Sequence, residues 1–400
     1  MAQPDVSKLM TVKEAMAVID AAAVHPSVER IALGQSGGRR LAEELRSDRD
    51  APPFDKSLMD GYAVRAADLT ATPCELPLVG RVAAGEMAED PLPRGAVFAI
   101  MTGAPIPTGA DAVVPIEETQ RREKNIRFSA STSVGRFIAR RGSESRAGAV
   151  VLERGVRLGA AQIAVAASVG AAQVAVFAMP SVAVLGSGDE LVEVDRTPGP
   201  SQIRSCNNPM LMALLAKMHC RAVDLGIVPD DPDKLREAIV RGQEQDALLV
   251  SGGMSMGDRD LVPGMLRELG GELRITKLRI KPGKPFVFAV MPGGKFVFGL
   301  PGNPVSAFVC TLCLASRLLE RMGGGVAGSK IRAAQLASPL EANGPREFYH
   351  PAAVQGTRVA PLVWKGSADI FTLARADGLI VRPENHAAME VGTVVEFVEI

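Results

Sequence analysis

The chain has 400 residues, 47% of them hydrophobic and 22% charged, and these proportions exclude a disordered chain, a collagen-like repeat and a disulfide scaffold. Its 45 basic residues balance its 45 acidic residues, which argues against a protein that holds nucleic acid by neutralising phosphates. The length predicts about two to three domains, and the 40 glycines and 28 prolines indicate many turns.

The N-terminal part of the chain begins with a predicted helix. Thr11 and Glu14 form a T-x-x-E capping box ahead of an alanine-rich run that reaches about Ala23. A second amphipathic segment covers residues 38–45. From residue 51 to about residue 144, prolines interrupt short β-like runs, and this pattern predicts an all-β insertion with irregular turns.

Residues 158–188 contain no charged side chain, so the stretch is long enough to be considered as a membrane span. Gly159 and Gly170 interrupt it, and its commonest apolar residue, alanine, gains little on transfer to lipid. The pattern instead predicts a short helix that ends at Gly170, followed by strands over residues 173–178 and 181–185. We therefore expect no membrane association.

Cysteine usage indicates a reducing compartment, because five cysteines are too few, and odd in number, for a disulfide framework. Charged residues near the N-terminus, such as Lys8 and Lys13, leave no apolar core for a signal peptide. We therefore predict a cytoplasmic protein. Cys310 and Cys313 form a C-x-x-C motif inside the apolar stretch 305–319, so we interpret them as buried thiols of a core helix rather than zinc ligands.

From residue 181 onward, strands alternate with capped helices. Asn208-Pro209, Asp231-Pro232 and Asn303-Pro304 each combine an N-cap residue with a proline at the first helical position, and another helix begins near Asp260. The alternation predicts a parallel, doubly wound sheet with ligands at the carboxyl ends of its strands. The tail, residues 330–400, alternates apolar and polar residues and predicts a small β domain. The strands of the predicted sheet cover residues 182–185, 222–228, 247–250, 286–290 and 296–300.

Small residues follow three strands of this predicted sheet. The three loops are Gly186–Glu190, Ser251–Asp260 and Gly299–Pro304. Glycine and serine at strand ends let backbone N–H groups converge on an anion. None of the loops matches the dinucleotide fingerprint or the P-loop. Because three such loops occur at neighbouring strand ends, they indicate a ligand site rather than three unrelated tight turns.

Charged residues close to these loops suit phosphate chemistry. Lys281 and Lys284 flank a Pro-Gly turn that fits an oxyanion, although such a turn is also typical of a solvated hairpin tip. Arg140 and Arg141 have the same ambiguity, because adjacent arginines are usually surface charge. The candidate ligands for a hard divalent cation such as Mg²⁺ beside substrate phosphates are Asp55, Asp60, Glu190, Asp231 and Asp260. Spacing alone leaves their convergence open.

At these residues the chain resembles the molybdopterin molybdenumtransferase family, which includes MoeA and the E domain of gephyrin. The matching segments occur in order across nearly the whole chain, whereas residues 331–400 match mainly in pattern. The segments are PPFDKSLMDGYAV (52–64), IMTGAPIPTGADAVVPIEE (100–118), RRGSE (140–144), GSGDEL (186–191), IRSCNNP (203–209), DDP (230–232), SGGMSMGDRD (251–260), IKPGKPF (280–286) and GLPGNPVSAF (299–308).

The resemblance implies a multidomain α/β fold in four parts and an elongated homodimer. A helical and extended linker domain covers residues 1–47 and 146–178, and a β-rich insertion domain covers residues 48–145. A doubly wound α/β domain similar to MogA, which would bind molybdopterin, covers residues 179–326. A C-terminal β domain covers residues 327–400.

The resemblance also implies an enzyme that inserts molybdate into adenylyl-molybdopterin and releases AMP, with Mg²⁺ as cofactor and a MogA-type adenylyltransferase as partner. Asp60, Thr102, Glu190 and Asp260 are the implied catalytic residues, the first two on an insertion that closes the site from the partner subunit. The implied metal ligands are Glu190, Asp231 and Asp260. The implied substrate-binding residues are Arg141, Glu144, Ser251, Gly252, Gly253, Lys281, Lys284, Pro301, Asn303, Arg346 and Ser367.

The chain departs from the family pattern at three places. Lys56 stands where the family usually has asparagine, Ser143-Glu144 replaces Glu-Asp, and Ser205-Cys206 replaces an aspartate followed by serine or threonine. Two other functions remain open on the sequence. One is a scaffolding role of the gephyrin type, and the other is the preceding step, adenylylation of molybdopterin, which the MogA-like domain suggests.

Overall fold

The computed structural model describes residues 9–253, 261–327 and 331–400. These residues form two compact units. Unit 1 contains the chain up to Arg30, the segment Gly38–Ala42 and residues Ala175–Ile400, and unit 2 contains Ile31–Gly37 and Glu43–Val174. The chain passes between the units through two paired strands, Val28–Ala32 and Gln173–Phe177.

Unit 2 is built around a six-stranded sheet, which agrees with the β-rich insertion predicted from residue 51. In spatial order its strands are Ala112–Pro115, Gly61–Val64, Val97–Ile100, Cys74–Val82, Asn125–Phe128 and Thr119–Arg122. All neighbours are antiparallel except Val97–Ile100 and Cys74–Val82, which run parallel. In its core, the ring of Tyr62 meets that of Phe128 edge-on at a centroid distance of 6.3 Å.

Short elements complete unit 2. They are the 3-10 helices Leu33–Gln35, Ala66–Leu69 and Ile116–Glu118, the paired strands Leu45–Arg46 and Val150–Leu152, the paired strands Lys56–Ser57 and Ile138–Ala139, and the α-helix Ala160–Ser168. The amphipathic segment 38–45 forms no helix. It is extended, and Leu41 within it bridges to Val176, because its apolar residues alternate too briefly to complete a helical face.

The uncharged stretch 158–188 folds into one short helix and two strands, as predicted. The helix Ala160–Ser168 ends ahead of Gly170, whose φ of +78° lies in the left-handed region that glycine adopts without strain. The strands Gln173–Phe177 and Ser181–Ser187 follow. Across the part of the chain that the structure describes, no helix has both the length and the apolar character needed to cross a bilayer.

Unit 1 contains a second six-stranded sheet, the central sheet. In spatial order its strands are Arg221–Val228, Ser181–Ser187, Ala247–Ser251, Lys295–Leu300, Val287–Met291 and Glu272–Ile275. The first four are parallel, as predicted, but Val287–Met291 runs antiparallel to both of its neighbours, Lys295–Leu300 and Glu272–Ile275. The prediction of a parallel sheet was therefore wrong for this one strand. The turn Pro292–Gly294 is too short for the crossover that a parallel pair requires.

Helices cover both faces of the central sheet and bury an apolar core on each side. Thr11 caps the first helix through the predicted box, in which the Glu14 side chain accepts from the Thr11 backbone. The predicted buried thiols, Cys310 and Cys313, lie in the core of one continuous helical stretch. The elements of this layer are the α-helices Val12–Asp20, Asn207–Lys217, Pro232–Gly242, Leu261–Glu268, Pro304–Cys310 and Ser316–Met322, and the π-helix Thr311–Ala315.

One helix start differs from the prediction. The N-cap of helix Asn207–Lys217 is Cys206, and Asn208 lies inside the first turn. The Asn208 side chain is buried and donates to Asp224 Oδ1 at 2.8 Å and to the Gly226 carbonyl at 3.0 Å. The Asn208 side-chain amide, which the sequence pattern assigned to helix capping, therefore makes a tertiary contact instead.

The C-terminal part of unit 1 is a small barrel, which agrees with the predicted β tail. Strand Glu347–Gln355 pairs with both Arg358–Pro361 and Gly378–Arg382, and this double pairing closes the sheet. Strand Ile280–Lys281 adds to its outer edge in parallel with Glu347 and Phe348. The other members are strands Ile331–Leu336 and Val394–Glu399 and the helix Ile370–Leu373, and a separate pair, Leu191–Val192 with Ile203–Arg204, lies beside the central sheet's loops.

Phenylalanine rings dominate the core under the central sheet and give a stability prediction. Phe298 is fully buried, with its ring stacked at 5.0 Å on Phe288 and tilted at 6.1 Å from Phe286. Phe298→Ala should lower the free energy of unfolding by about 3–5 kcal/mol, because the cavity cannot close fully. Urea unfolding measures the loss. Phe371→Ala is the control, since that ring is 81% exposed, and a similar loss there would contradict the packing argument.

Candidate active site

A cleft of about 480 Å³ opens in unit 1 beside the end of strand Lys295–Leu300. It brings together six residues that the family resemblance implied: Lys281, Lys284, Pro301, Asn303, Arg346 and Ser367. The C-terminal barrel and the central sheet both contribute to it. The cleft is also lined by residues that were not among the implied substrate-binding ones: Pro282, Gly283, Pro285, Ser306, Trp364, Lys365 and Gly366.

Lys281 lies on one wall of the cleft and is held by aromatic rings. Its Nζ atom lies 4.3 Å from the centroid of the Phe348 ring and 5.7 Å from that of Trp364. Both contacts are within the range of cation–π attraction. Lys281 is half-buried, so the interpretation as a solvated hairpin tip does not apply to this residue, whereas Lys284 is exposed.

The turn between the two lysines fits closely against the helix that follows Asn303. Gly283 has a φ of +122°, and a Cβ atom at this position would lie 2.5 Å from Cys310 Sγ. The same sulfur lies 3.8 Å from the Gly283 carbonyl oxygen. Only glycine lets the turn approach the helix this closely, and the approach fixes the direction of both lysines.

The wall behind Lys281 is a stack of rings that keeps a histidine neutral. His350 stacks on Phe348 at 4.6 Å. Its Nε2 donates to the Leu362 carbonyl at 2.9 Å, which leaves Nδ1 as the acceptor for Arg382 Nη1 at 3.3 Å. Burial lowers the pKa of His350 to about 4. The ring therefore orients a second cation behind the cleft without adding charge of its own.

The electrostatics of the cleft favour an anion. Among the residues that the structure describes, four cationic side chains line it and no carboxylate does. Burial lowers the pKa of Lys281, and the nearby charges of Arg346 and Arg382 lower it further. An anion in the cleft would offset that repulsion, so the protonated lysine and the anion stabilise each other. The four cationic residues are Lys281, Lys284, Arg346 and Lys365.

Ser367 is fixed at the cleft by the loop that begins the next helix. Its hydroxyl accepts from Asn303 Nδ2 at 2.9 Å, and its carbonyl accepts from the Val305 backbone at 3.1 Å. Asn303 occupies the predicted N-cap position of helix Pro304–Cys310, but its side chain makes no capping bond. The amide instead holds Ser367 with its hydroxyl hydrogen free to donate to a ligand.

Three strand-end loops meet next to the cleft. The predicted residues at the end of the middle strand are Ser251, Gly252 and Gly253. Gly252 has a φ of +98°, and a Cβ there would lie 2.0 Å from the Ser187 carbonyl oxygen. Asn207 Nδ2 donates to the Gly302 carbonyl at 2.7 Å and reaches Ser251 Oγ at 3.3 Å. Asn207, which sequence reasoning missed, thus ties two of the loops together, and the close approach of Gly252 to Ser187 adds the third.

The implied metal ligands form a less complete group than the cleft residues do. Asp231 Oδ1 accepts from the backbones of Asp233 and Lys234, both at 3.0 Å, and so caps helix Pro232–Gly242. The Glu190 carboxylate folds back over Gly188. Asp260, implied as both catalytic and metal-binding, lies outside the described residues. Among the residues that the structure does describe, no group of three His, Cys, Asp or Glu side chains forms a metal-binding cluster.

Mg²⁺ needs no closed cage of protein ligands. It commonly keeps several waters and binds through one or two carboxylates together with substrate phosphates. Glu190, exposed beside the cleft loops, and the second oxygen of Asp231 offer hard donors of this kind. The donor chemistry therefore fits an ion that arrives with the substrate.

The two possible roles of Asp231 can be separated by substitution. Asparagine is as good an N-cap as aspartate, whereas alanine loses about 1 kcal/mol. We expect Asp231→Asn to keep the wild-type unfolding free energy and to lower activity at limiting Mg²⁺. Asp231→Ala should lower both. Equal activity of Asp231→Asn and wild type across a Mg²⁺ titration would restrict this residue to capping.

A second cluster of implied residues lies in unit 2. Asp60 Oδ1 accepts from the Thr102 backbone at 2.6 Å and from its hydroxyl at 2.8 Å. These two hydrogen bonds hold the pKa of Asp60 below its usual value. The next residue, Gly61, approaches strand Ala112–Pro115 so closely that a Cβ would lie 2.1 Å from the Val114 carbonyl oxygen. The exposed carboxylate is therefore held ionised on a tightly fixed backbone.

Arg141 and Glu144 lie in the same unit, and each is ion-paired. Arg141 Nε contacts Asp50 Oδ2 at 2.7 Å, while Glu144 Oε1 contacts Lys56 Nζ at 3.0 Å. Lys56 and Glu144 are two of the positions at which the sequence pattern departs from the family resemblance, and they pair with one another. The Arg140–Asp55 pair, at 2.5 Å, completes the group.

Family models match the chain in three consecutive parts. The MoeA N-terminal region, described as domains I and II, matches residues 10–170. A probable molybdopterin binding domain matches residues 183–321. The MoeA C-terminal region, domain IV, matches residues 333–400.

Similar proteins cover most of the chain. A molybdopterin molybdenumtransferase of Haemophilus influenzae is 37% identical over 74% of this chain and 73% of its own length. One from Staphylococcus epidermidis is 30% identical over 97% and 95%. A solved molybdopterin biosynthesis MoeA protein of Pyrococcus horikoshii has a TM-score of 0.86 and 26% identity over 98% of this chain and 100% of that one.

The three six-stranded sheets define a multidomain α/β protein, and unit 1 carries the cationic cleft. With these matches, the chain belongs to the molybdopterin molybdenumtransferase (MoeA) family. Members of this family are transferases with a role in molybdenum cofactor biosynthesis.

Proposed function

We propose that the protein inserts molybdate into adenylyl-molybdopterin and releases AMP. The observation that carries this proposal is the cleft lined by Lys281, Lys284, Arg346 and Lys365 in the described part of the chain, in a chain of this family. Molybdate is a tetrahedral dianion and suits several convergent cations. Two Mo–S bonds replace two Mo–O bonds, whose oxygens leave with the thiol protons as water or hydroxide. One water molecule is consumed in hydrolysing the phosphoanhydride, which gives AMP and the terminal phosphate of molybdopterin. Molybdenum keeps its oxidation state, so the step requires no electron donor.

The cleft would hold molybdate by charge and by hydrogen bonds. Lys281 and Arg346 supply half-buried positive charge, and Lys284 supplies exposed charge. The hydroxyl of Ser367, oriented by Asn303, donates to one oxygen of the bound ion. Phe348 and Trp364 contact Lys281, and Asn303 holds Ser367, so contacts within the protein fix these two groups for the ion.

The strand-end loops would hold the phosphate end of the substrate. The Gly252 N–H group already donates to the Leu300 carbonyl at 3.2 Å, so the Ser251 hydroxyl and the Gly253 N–H group are the donors that suit a phosphate. Glu190 and Asp231, with Asp260, would hold Mg²⁺, which when bound neutralises the phosphoanhydride and favours its cleavage. Asn207 keeps the loops together through Gly302 and Ser251.

We further propose a cytoplasmic homodimer in which Asp60, with Thr102, serves the cleft of the partner subunit. Arg141 and Glu144 would support the same contact with substrate. Co-expressed Asp60→Asn and Lys281→Met chains test this arrangement. Mixed dimers regain one intact site only if the two residues act from different subunits. Mixed dimers that stay as inactive as either variant alone would contradict it.

The proposed reaction is tested with purified protein, adenylyl-molybdopterin, Mg²⁺ and molybdate, by following AMP release and active cofactor. We expect AMP release that depends on molybdate. Its absence would contradict the proposal and leave a scaffolding role. Release of pyrophosphate from ATP and molybdopterin would instead favour the adenylylation step, with which a MogA-type partner would be redundant.

A further inference from the structure

The cleft is larger than the ion that we place in it. Its volume of about 480 Å³ is of the size that encloses a drug-sized ligand, whereas molybdate has five atoms. Its lining also contains two kinds of residue. Four are cationic, and Trp364 with three prolines forms an apolar set: Pro282, Pro285 and Pro301. The cleft therefore offers apolar ring surface beside its cations, which an oxyanion alone does not use.

Trp364 is the single tryptophan of the chain. It offers a ligand in the cleft apolar ring surface rather than a hydrogen bond. Its side chain is half-buried, and its Nε1 atom is shielded from solvent and has no partner among the described residues. A ligand in the cleft therefore meets the indole ring and not the N–H group. Phe348 packs against the indole at a centroid distance of 5.2 Å and holds it in place.

The Trp364 indole lies next to the cations, and this arrangement indicates which kind of ligand the cleft suits. An indole beside proline rings is suited to stack a planar, electron-poor heterocycle. The Lys281 ammonium group lies 5.7 Å from the same ring, so an anion and a stacked heterocycle would lie side by side.

We propose that Trp364 stacks on the pterin ring of the substrate, so that one cleft holds molybdate and its acceptor together. This inference rests on the proposed function. The sulfurs that receive molybdenum are carried on the pterin end of the substrate, whereas the adenine is separated from them by the pyrophosphate. The ring nearest the bound oxyanion is therefore the pterin.

The alternative role for Trp364 is to brace Lys281 and Phe348. If Trp364 only supports Lys281, its loss would lower the affinity for the oxyanion, because the lysine would be released. If Trp364 stacks on the substrate, its loss would lower the affinity for the heterocycle. The two roles therefore differ in which ligand loses affinity.

Calorimetric titrations of the full-length protein separate them, with neopterin, AMP and molybdate as individual probes. The variants are Trp364→Leu, which removes the aromatic face, and Trp364→Phe, which keeps a ring against Phe348. We expect Trp364→Leu to weaken neopterin binding about 10-fold, Trp364→Phe to retain most of the affinity, and molybdate affinity to stay within about 2-fold in both.

Three results would overturn the inference. They are neopterin affinity that is undetectable in wild type or unchanged in Trp364→Leu, a parallel loss of molybdate affinity in that variant, and a selective loss of AMP binding. Failure of the proposed function has a different signature. In that case wild-type protein binds no molybdate, whatever the outcome for neopterin.

Discussion

Lys281→Met is expected to abolish detectable molybdate binding and to lower turnover by about 100-fold or more. Methionine keeps the unbranched chain against Phe348 and Trp364 but removes the charge, so the fold should survive. The ammonium lies at the wall of the cleft, 4.3 Å from the Phe348 centroid, where water screens it little. Its loss leaves Arg346 as the remaining half-buried cation of the lining.

Molybdate titration by calorimetry and turnover under saturating substrate measure both effects. Lys234→Met is the matched control, because Lys234 is exposed on helix Pro232–Gly242 in the same unit. It should bind and turn over as wild type does. Wild-type molybdate affinity in Lys281→Met would remove this lysine from the oxyanion site.

Asp60→Asn should lower turnover by about 100-fold or more while leaving the unfolding transition unchanged. Asparagine has the same shape, and Asp60 is exposed, so the change removes charge with little effect on packing. The two hydrogen bonds from Thr102 keep the carboxylate ionised and oriented. Turnover assays and thermal unfolding give the two readouts. A variant with wild-type turnover would exclude a catalytic role.

Thr102→Val tests the role of the Asp60 carboxylate through the pH dependence of activity. The backbone N–H bond from residue 102 remains, but the hydroxyl bond that also lowers the pKa of Asp60 is lost. The pKa therefore rises toward its usual value, and a larger fraction of the carboxylate is protonated as pH falls. The acidic limb of the activity profile should move to higher pH, with little change at neutral pH. An unmoved limb would show that Asp60 ionisation does not control the rate.

Local sequence signals predicted the elements that depend on a few adjacent residues. The capping box of Thr11 and Glu14 and the Asp231-Pro232 start both occur in the structure. The loops after strands Ser181–Ser187 and Ala247–Ser251 lie together because parallel neighbours end at one edge. These features follow from backbone geometry within one turn or one strand end.

Contacts between distant segments could not be predicted in the same way. Trp364 and Lys365 reach the cleft only because strand Ile280–Lys281 joins the barrel at Glu347 and Phe348. Nothing in the local sequence of these residues indicates that pairing. Likewise, the local sequence predicts that Asn208 caps a helix, because its buried contact with Asp224 is visible only in the structure. Six lining residues of the cleft were named from the sequence, including Arg346 and Ser367, but Trp364 and Lys365 were not.

Diffraction from crystals soaked in molybdate, with data collected at the molybdenum absorption edge, tests the central claim most directly. The anomalous signal locates the metal independently of any assumed site. We predict a single strong peak in the cleft, within hydrogen-bonding reach of Lys281, Arg346 and Ser367 for the attached oxygens. A peak elsewhere on the protein, with this cleft empty at saturating molybdate, would contradict the account.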